Sequence, residues 1–310
     1  MRDDAQMRAT AEAVFGSAAR GDADGISDRD ILIVDDDPAV LQARSRVLEA
    51  EGWSVASHTF RKLNALSHMG ALFVQHLKLE CRVLVDRDGR LTDLLASFRP
   101  RTDYAAELQE NARLASLAAT VPEGPRGTLL AADILYVTVR NFGVLSLAER
   151  GIHAYAYTAI GTGLETERLI APGGARAIAS LRFLKCLYRA GESGSGGSTR
   201  RAVEDALVVL PRRFFPADFH SVPARDVLAM PAPCEPAAPY HVLRDLELRL
   251  LALQAIGGGD AVDGDIARLS KWIANPRAYA SIAGRVAPAI RASMADALRP
   301  ESHTRLGFLG

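Results

Sequence analysis

The sequence predicts an α+β fold: a small mixed β-sheet flanked by helices over residues 1–98, followed by an α-helical bundle region. Three observations carry this expectation. Ile31-Leu32-Ile33-Val34 is a short, β-branched, apolar run, the form of a buried strand. Leu63, Leu66, Met69, Phe73 and Leu77, and later Leu130, Ile134, Val137, Asn141 and Val144, recur at helical spacing. Beyond Phe98-Arg99-Pro100 the alternation of strand-like and helix-like stretches gives way to alanine- and leucine-rich segments.

Taken in order, residues 4–14 read as a short helix feeding the first strand. Phe15-Gly16-Ser17 is then an apolar residue leading into a bend, followed by a turn of small and charged residues and the strand at Ile31. Asp35-Asp36-Asp37 before Pro38 suits a strand exit that caps a helix over residues 38–51. The next strand is expected at residues 53–60, a helix interrupted by Gly70 at residues 61–80, and a strand at residues 81–85. Asp86-Arg87-Asp88-Gly89 closes with a tight turn. His68 and His76, eight residues apart, do not have the spacing of a zinc pair and suit packing and surface roles.

The second region, residues 99–190, reads as a helical bundle: helices at residues 104–120, at residues 129–150 after a break at Pro122–Gly127, and at residues 175–190. The glycine- and serine-rich residues 191–198 form an expected flexible linker. The C-terminal helical region, residues 199–310, holds helices at 199–210, 241–256, 264–274 and 286–298 around a proline-rich, irregular stretch at 211–239. Its roles are an acceptor-recognition module, an oligomer contact or, by default, a helical cap.

The chemistry concentrates at the bend and the first apolar strand. In an extended chain residues i and i+2 share a face, so Asp28 and Asp30 put both carboxylates on one side and Arg29 on the other. Neighbouring carboxylates repel unless a cation sits between them, and magnesium prefers a few carboxylates completed by phosphate oxygens and water. Gly16 lets the backbone approach a bulky anion, Ser17 offers a hydroxyl and an N–H, and Arg20 a guanidinium. A phosphate cradle beside a metal pair points to nucleotidyl or phosphoryl transfer, where positioning and charge neutralisation do most of the catalysis.

Gly16-Ser17, Arg20-Gly21 and Ser27-Asp28-Arg29-Asp30 resemble the signature of the DNA polymerase beta-like nucleotidyltransferase superfamily, closest to its small minimal and kanamycin-type members. The likeness covers about residues 8–98, including Leu72–Glu80 and Val83–Asp86, which are similar to the closing helix and strand of the minimal enzymes. It implies transfer of a nucleoside monophosphate from a nucleoside triphosphate to an acceptor hydroxyl on a small molecule, a protein or an RNA end. Asp28 and Asp30 would be catalytic and bind Mg2+, and Gly16, Ser17, Arg20 and Ser27 would bind the nucleotide. It also implies a helical unit walling the acceptor pocket.

One departure bears on turnover. The family carries a third metal-binding carboxylate on the next strand, and residues 53–60 contain no acid. Ser54, Ala56 and His58 line one face there; Glu80, Asp86 and Asp88 are the acids left further on, and His58 is a substitute base. A second metal ion lacks its ligand on this reading, and a nucleotide-binding or regulatory protein without turnover is the alternative function. Arg140-Asn141 in an apolar helix resembles the Arg-Asn pair of the HEPN helical ribonucleases, but Leu145-Ser146-Leu147 occupy the places of their histidine, which argues against a ribonuclease.

Composition excludes other classes. With 37 basic and 37 acidic residues in 310, the chain has no net basic footprint for an extended nucleic acid. Cys81, Cys186 and Cys234 are too far apart in sequence for a metal-ligand motif or a disulfide framework, which suits a reducing cytoplasm. Residues 1–23 lack the pattern of a signal peptide, and no uninterrupted apolar run reaches membrane-spanning length.

Overall fold

The computed structural model describes residues 9–25, 27–192, 196–231 and 238–257, with the single residues Pro288 and Ala292. Among the described residues the fold is mixed α/β, with one four-stranded sheet, a two-stranded sheet and many helices. The chain groups into two compact units. One comprises Met1–Tyr104 with Val144–Ile160, the other Ala105–Gly143 with Gly161–Gly310. Cys234 and the helices expected at 264–274 and 286–298 lie outside the described residues, apart from Pro288 and Ala292.

The first unit is built as β1 (Ala11–Phe15), α1 (Ser17–Arg20), β2 (Asp30–Val34), α2 (Pro38–Ala50), β3 (Ser54–His58), α3 (Phe60–His68), α4 (Leu72–Glu80), β4 (Arg82–Asp86) and α5 (Arg90–Ser97). The sheet order is β3-β2-β1-β4; β1 runs antiparallel to both neighbours and β2 parallel to β3. One face carries Ala11, Ala13, Phe15, Leu32 and Val34 against Phe60, Leu63, Val74, Leu77 and Leu91 of α3, α4 and α5. The other carries Val14, Ile31 and Ile33 against Leu41 and Leu48 of α2. Burial on both sides is why β2 reads as an unbroken apolar run.

Two expectations about this unit are corrected. Residues 11–14, expected to be helical, form most of β1, fully buried in the sheet. Ala-Glu-Ala looks helical because its charge is taken for a solvent-facing residue. Here Glu12 is buried and held by Arg44 of α2 at 2.8 and 3.0 Å, a two-pronged pair that makes a strand position tolerable. The single helix expected at residues 61–80 is two. Gly70, at φ +64°, ends the first, and a Cβ there would stand 2.6 Å from Arg101 Cγ and 2.8 Å from its backbone nitrogen. Asp35 and Asp37 act as the strand-exit caps expected of them, and Asp36 forms an ion pair instead. Asp37 accepts from the Ala39 N–H at 2.8 Å, Asp35 holds Thr10 and the Asp37 N–H, and Asp36 pairs with Arg90. A bulge in the β1–β4 pairing irregularises the outer strand, which blunts an edge exposing Val83 and Leu84.

The second unit holds α6 (Ala105–Ser116), β5 (Thr120–Pro122), most of α7 (Pro125–Ala148), α9 (Gly174–Arg189), α10 (Gly196–Val209), β6 (His220–Val222), α11 (Ala224–Ala229) and α12 (Pro239–Ala255). The boundary between units also crosses α8 (Tyr157–Thr166). β5 and β6 pair in parallel. Helix α10 takes up Gly196–Ser198 of the expected linker, and β6 with α11 gives structure to the stretch expected to be irregular.

Helix α12 is not a cap. It is buried at every residue from Leu243 to Leu253, charged residues included. The Asp133 carboxylate of α7 takes Arg189 of α9 through two bonds of 2.9 Å and Arg244 of α12 at 2.6 Å. Arg244 meets Glu247 at 2.9 Å, which in turn accepts from the Tyr188 hydroxyl at 2.7 Å. Asp133, Arg244 and Glu247 are fully buried and Arg189 is 24% exposed, and each charge faces an opposite one that offsets the cost of its burial. Burial alone would push the Asp133 carboxyl up, but Arg244 and Arg189 hold it below its ordinary value. Among the described residues α7 is the one helix long and apolar enough to cross a membrane; 67% of its apolar window is buried inside the protein, and it carries Asp133.

Candidate active site

The site grows from the end of β1. Phe15 finishes the strand and Gly16 turns it with φ +65° and ψ −145°, a combination that side chains do not tolerate. The single helical turn α1 follows, and Gly21, also left-handed at φ +77°, closes it. β2 then returns antiparallel, so that Asp30 comes to rest opposite Phe15. The bend and the Asp-x-Asp segment therefore lie side by side at one end of the sheet.

That adjacency is close. A Cβ built on Gly16 would lie 3.2 Å from Asp30 Oδ2 and 4.0 Å from His76 Cε1. Ser17 Oγ donates to the Asp28 carbonyl at 3.3 Å, tying the bend to the segment that carries the acids. The ladder with β3 reaches back to Arg29, whose carbonyl accepts from the Ser54 N–H at 2.8 Å. Arg29 lays its guanidinium over Trp53, 4.1 Å from the ring centre, on the α2 side. With Arg29 on that side, the alternation of the extended chain assigns residues 28 and 30 to the other. Asp28 is exposed and Asp30 half-buried.

Arg20 and Ser27 are placed differently from one another. Arg20 stays at the bend, where its guanidinium donates from Nη1 to the Glu80 carboxylate and from Nε to Asp22 at 3.1 Å. Partial burial works against its charge, and Asp22 and Glu80 more than offset that, holding its pKa above the ordinary value. Ser27 is engaged within its own loop: its hydroxyl donates to Asp24 at 2.7 Å and accepts from the Asp24 N–H at 3.1 Å.

Four residues distant in sequence complete the surroundings. His76 of α4 approaches the Gly16 position, its Nε2 lies 3.0 Å from Glu80 Oε2, and its ring stacks on Tyr155 with centroids 4.2 Å apart. Phe15 meets both His76 and Phe73 edge-on, at 5.5 and 6.0 Å. Tyr155 is anchored by its hydroxyl to the Leu72 carbonyl at 3.2 Å. Only two of these features leave a local trace in the sequence: His76 and Glu80 are spaced i, i+4, the spacing of a helix-surface pair. The stacking of Tyr155 on His76 depends on long-range topology and has no local signal.

Asp86 and the substitute base, His58, fall away from Asp30. Asp86 pairs in register with Ala11, at the far end of β1 from Phe15, and caps α5 through the N–H groups of Leu91 and Thr92 and the Thr92 hydroxyl. His58 pairs with Val34, at the opposite end of β2 from Asp30, and meets Phe73 edge-on. Ser54 is the β3 residue opposite Asp30, and Ala56, two residues on, packs into the same core face. Among the described residues no three His, Cys, Asp or Glu side chains gather as a ready-made metal cage. An ion held by Asp28 and Asp30 alone would take much of its coordination from phosphate oxygens and water.

No protein-family model, no curated protein and no solved structure matches this chain.

Proposed function

We propose that the first unit is a nucleotidyltransferase domain of the DNA polymerase beta-like kind, transferring a nucleoside monophosphate from a nucleoside triphosphate to an acceptor hydroxyl. The observation that carries this reading is the packing of Gly16 against the Asp30 carboxylate, with Ser17 bonded to the Asp28 carbonyl. A bend stripped of side-chain bulk beside the Asp30 carboxylate, and tied to the backbone of Asp28, is suited to a metal-bound polyphosphate. Asp28 and Asp30 would hold magnesium, whose chemistry is to neutralise charge on the phosphates as it shifts. Gly16 leaves room for the phosphate chain, and Ser17 and Arg20 stand at its rim. The acceptor oxygen bonds to the α-phosphorus as the bond from that phosphorus to the bridging oxygen breaks, pyrophosphate departs with the electron pair, and the hydroxyl proton is released.

A second reading, nucleotide binding without turnover, is favoured by one observation: β3 offers Ser54 and Ala56 beside Asp30, and no carboxylate. One experiment separates the two. The full chain is incubated with each radiolabelled triphosphate, magnesium and candidate acceptors, in parallel with the Asp28→Ala/Asp30→Ala variant. Transfer of label by the wild type, lost in the variant, supports the enzyme. Saturable binding without transfer, again lost in the variant, supports the second reading. Equal behaviour of the two proteins removes both.

A further inference from the structure

The site has a feature that metal and phosphate binding do not explain. Glu80 is the last residue of α4, where the exposed carbonyls of a helix end disfavour a negative charge. Its carboxylate stays there between two nitrogen partners, His76 Nε2 on its own helix and Arg20 Nη1 from α1. Arg20 is thereby held at the rim of the bend by Glu80 and Asp22, with Nη2 lacking a hydrogen-bond partner among the described residues. The Arg20–Glu80 pair lies at the surface of the site, with side chains 26% and 17% exposed, where an incoming anion can reach it.

We propose that Glu80 is a latch on Arg20: its carboxylate occupies the guanidinium that would grip a triphosphate, and binding exchanges Glu80 for phosphate oxygens. The inference rests on the reading of the first unit as a nucleotide site. Arginine keeps its charge at any physiological pH, so it trades partners rather than losing its proton. The exchange is made easy because Glu80 keeps His76 when Arg20 leaves, and no carboxylate is stranded without a donor. The latch also sets a threshold. A ligand that binds through Arg20 must outcompete Glu80, so its apparent affinity is reduced by the share of molecules in which the latch is closed. Glu80 is thus a positioning residue acting through Arg20.

The test is calorimetric titration of the full chain with MgATP, MgGTP, MgCTP and MgUTP, with magnesium tripolyphosphate as a base-free probe. Glu80→Gln, which keeps a hydrogen-bonding partner for His76, is expected to tighten the best-bound triphosphate about tenfold, the scale of one charge-assisted hydrogen bond released from competition. Glu80→Ala is expected to tighten it likewise. In an Arg20→Gln background the Glu80→Gln gain should shrink to about twofold or less, because a latch with nothing to hold has little effect. Binding that is unchanged or weakened in both folded Glu80 variants overturns the latch while leaving the nucleotide site intact. A full gain that persists without Arg20 overturns it as well. No binding by the wild type or the Glu80 variants sinks the nucleotide site itself and the latch with it.

Discussion

At the scale of single residues, Gly16 and Asp30 act as a pair. Gly16→Ala would set a Cβ 3.2 Å from Asp30 Oδ2 on a backbone that only glycine adopts comfortably, so a stability loss of about 1–3 kcal/mol is expected in chemical denaturation. Asp30→Asn should weaken magnesium-dependent triphosphate binding by about 100-fold or more, since even outer-shell partners of metal ligands cost 10- to 100-fold. Ser54→Asp tests the gap on β3. Ser54 is exposed and opposite Asp30, so the added carboxylate has room to join the site, and label transfer should rise about tenfold if a third acid limits the reaction. Asp35 supplies a pH dependence. Partial burial pushes its carboxyl up, but the Asp37 N–H and the hydroxyl and N–H of Thr10 prevail, and its pKa is lowered. A depressed carboxylate adds stability above its unfolded pKa and loses it as pH falls through the folded value. The stability gap between wild type and Asp35→Asn should therefore be widest near neutral pH and close below about pH 4, as read by urea unfolding.

At the scale of elements, the sequence displays what neighbouring residues build and conceals what the topology assembles. The Gly-Ser bend, Asp28, Asp30 and the strand after them are contiguous enough for their alternation to show which face each occupies. The caps at Asp35 and Asp37 belong to the same short-range class. β1 was hidden because the strand status of Ala11–Phe15 depends on Arg44 arriving from α2 to neutralise Glu12. The break at Gly70 was hidden because an apolar helical period runs straight across it. The glycine is required by Arg101, whose backbone nitrogen would lie 2.8 Å from any Cβ there. Gly70→Ala is accordingly expected to destabilise the first unit by at least about 1 kcal/mol through its φ of +64° alone, and by more from the clash, in urea-induced unfolding. His76, Glu80 and Tyr155 illustrate the same limit at the site, since only the i, i+4 spacing of the first two was on show.

At the scale of the whole molecule, both units have apolar interiors, but the second also buries several linked charges. The first relies on two apolar layers around its sheet. The second encloses a charge network among Asp133, Arg189, Arg244 and Glu247 that no periodicity reveals, because an isolated Asp in an apolar helix looks the same whether or not two arginines await it. Asp133→Ala should strand Arg189, leave Arg244 with Glu247 alone and cost about 3–5 kcal/mol, whereas replacing Asp133 and Arg244 together by apolar residues of matching size should cost less. Thermal or denaturant unfolding of the full chain would show the difference.

The return of residues Val144–Ile160 to the first unit has a practical side. Tyr155, the ring on which His76 rests, is supplied only after the polypeptide has already entered the other unit through α7. A fragment ending at Tyr104 would contain the bend, both aspartates and the latch, yet leave one flank of the imidazole bare. Dissection of this protein by a single cut is therefore a poor route to a working fragment; grafting residues 144–160 back through a short tether is the better one.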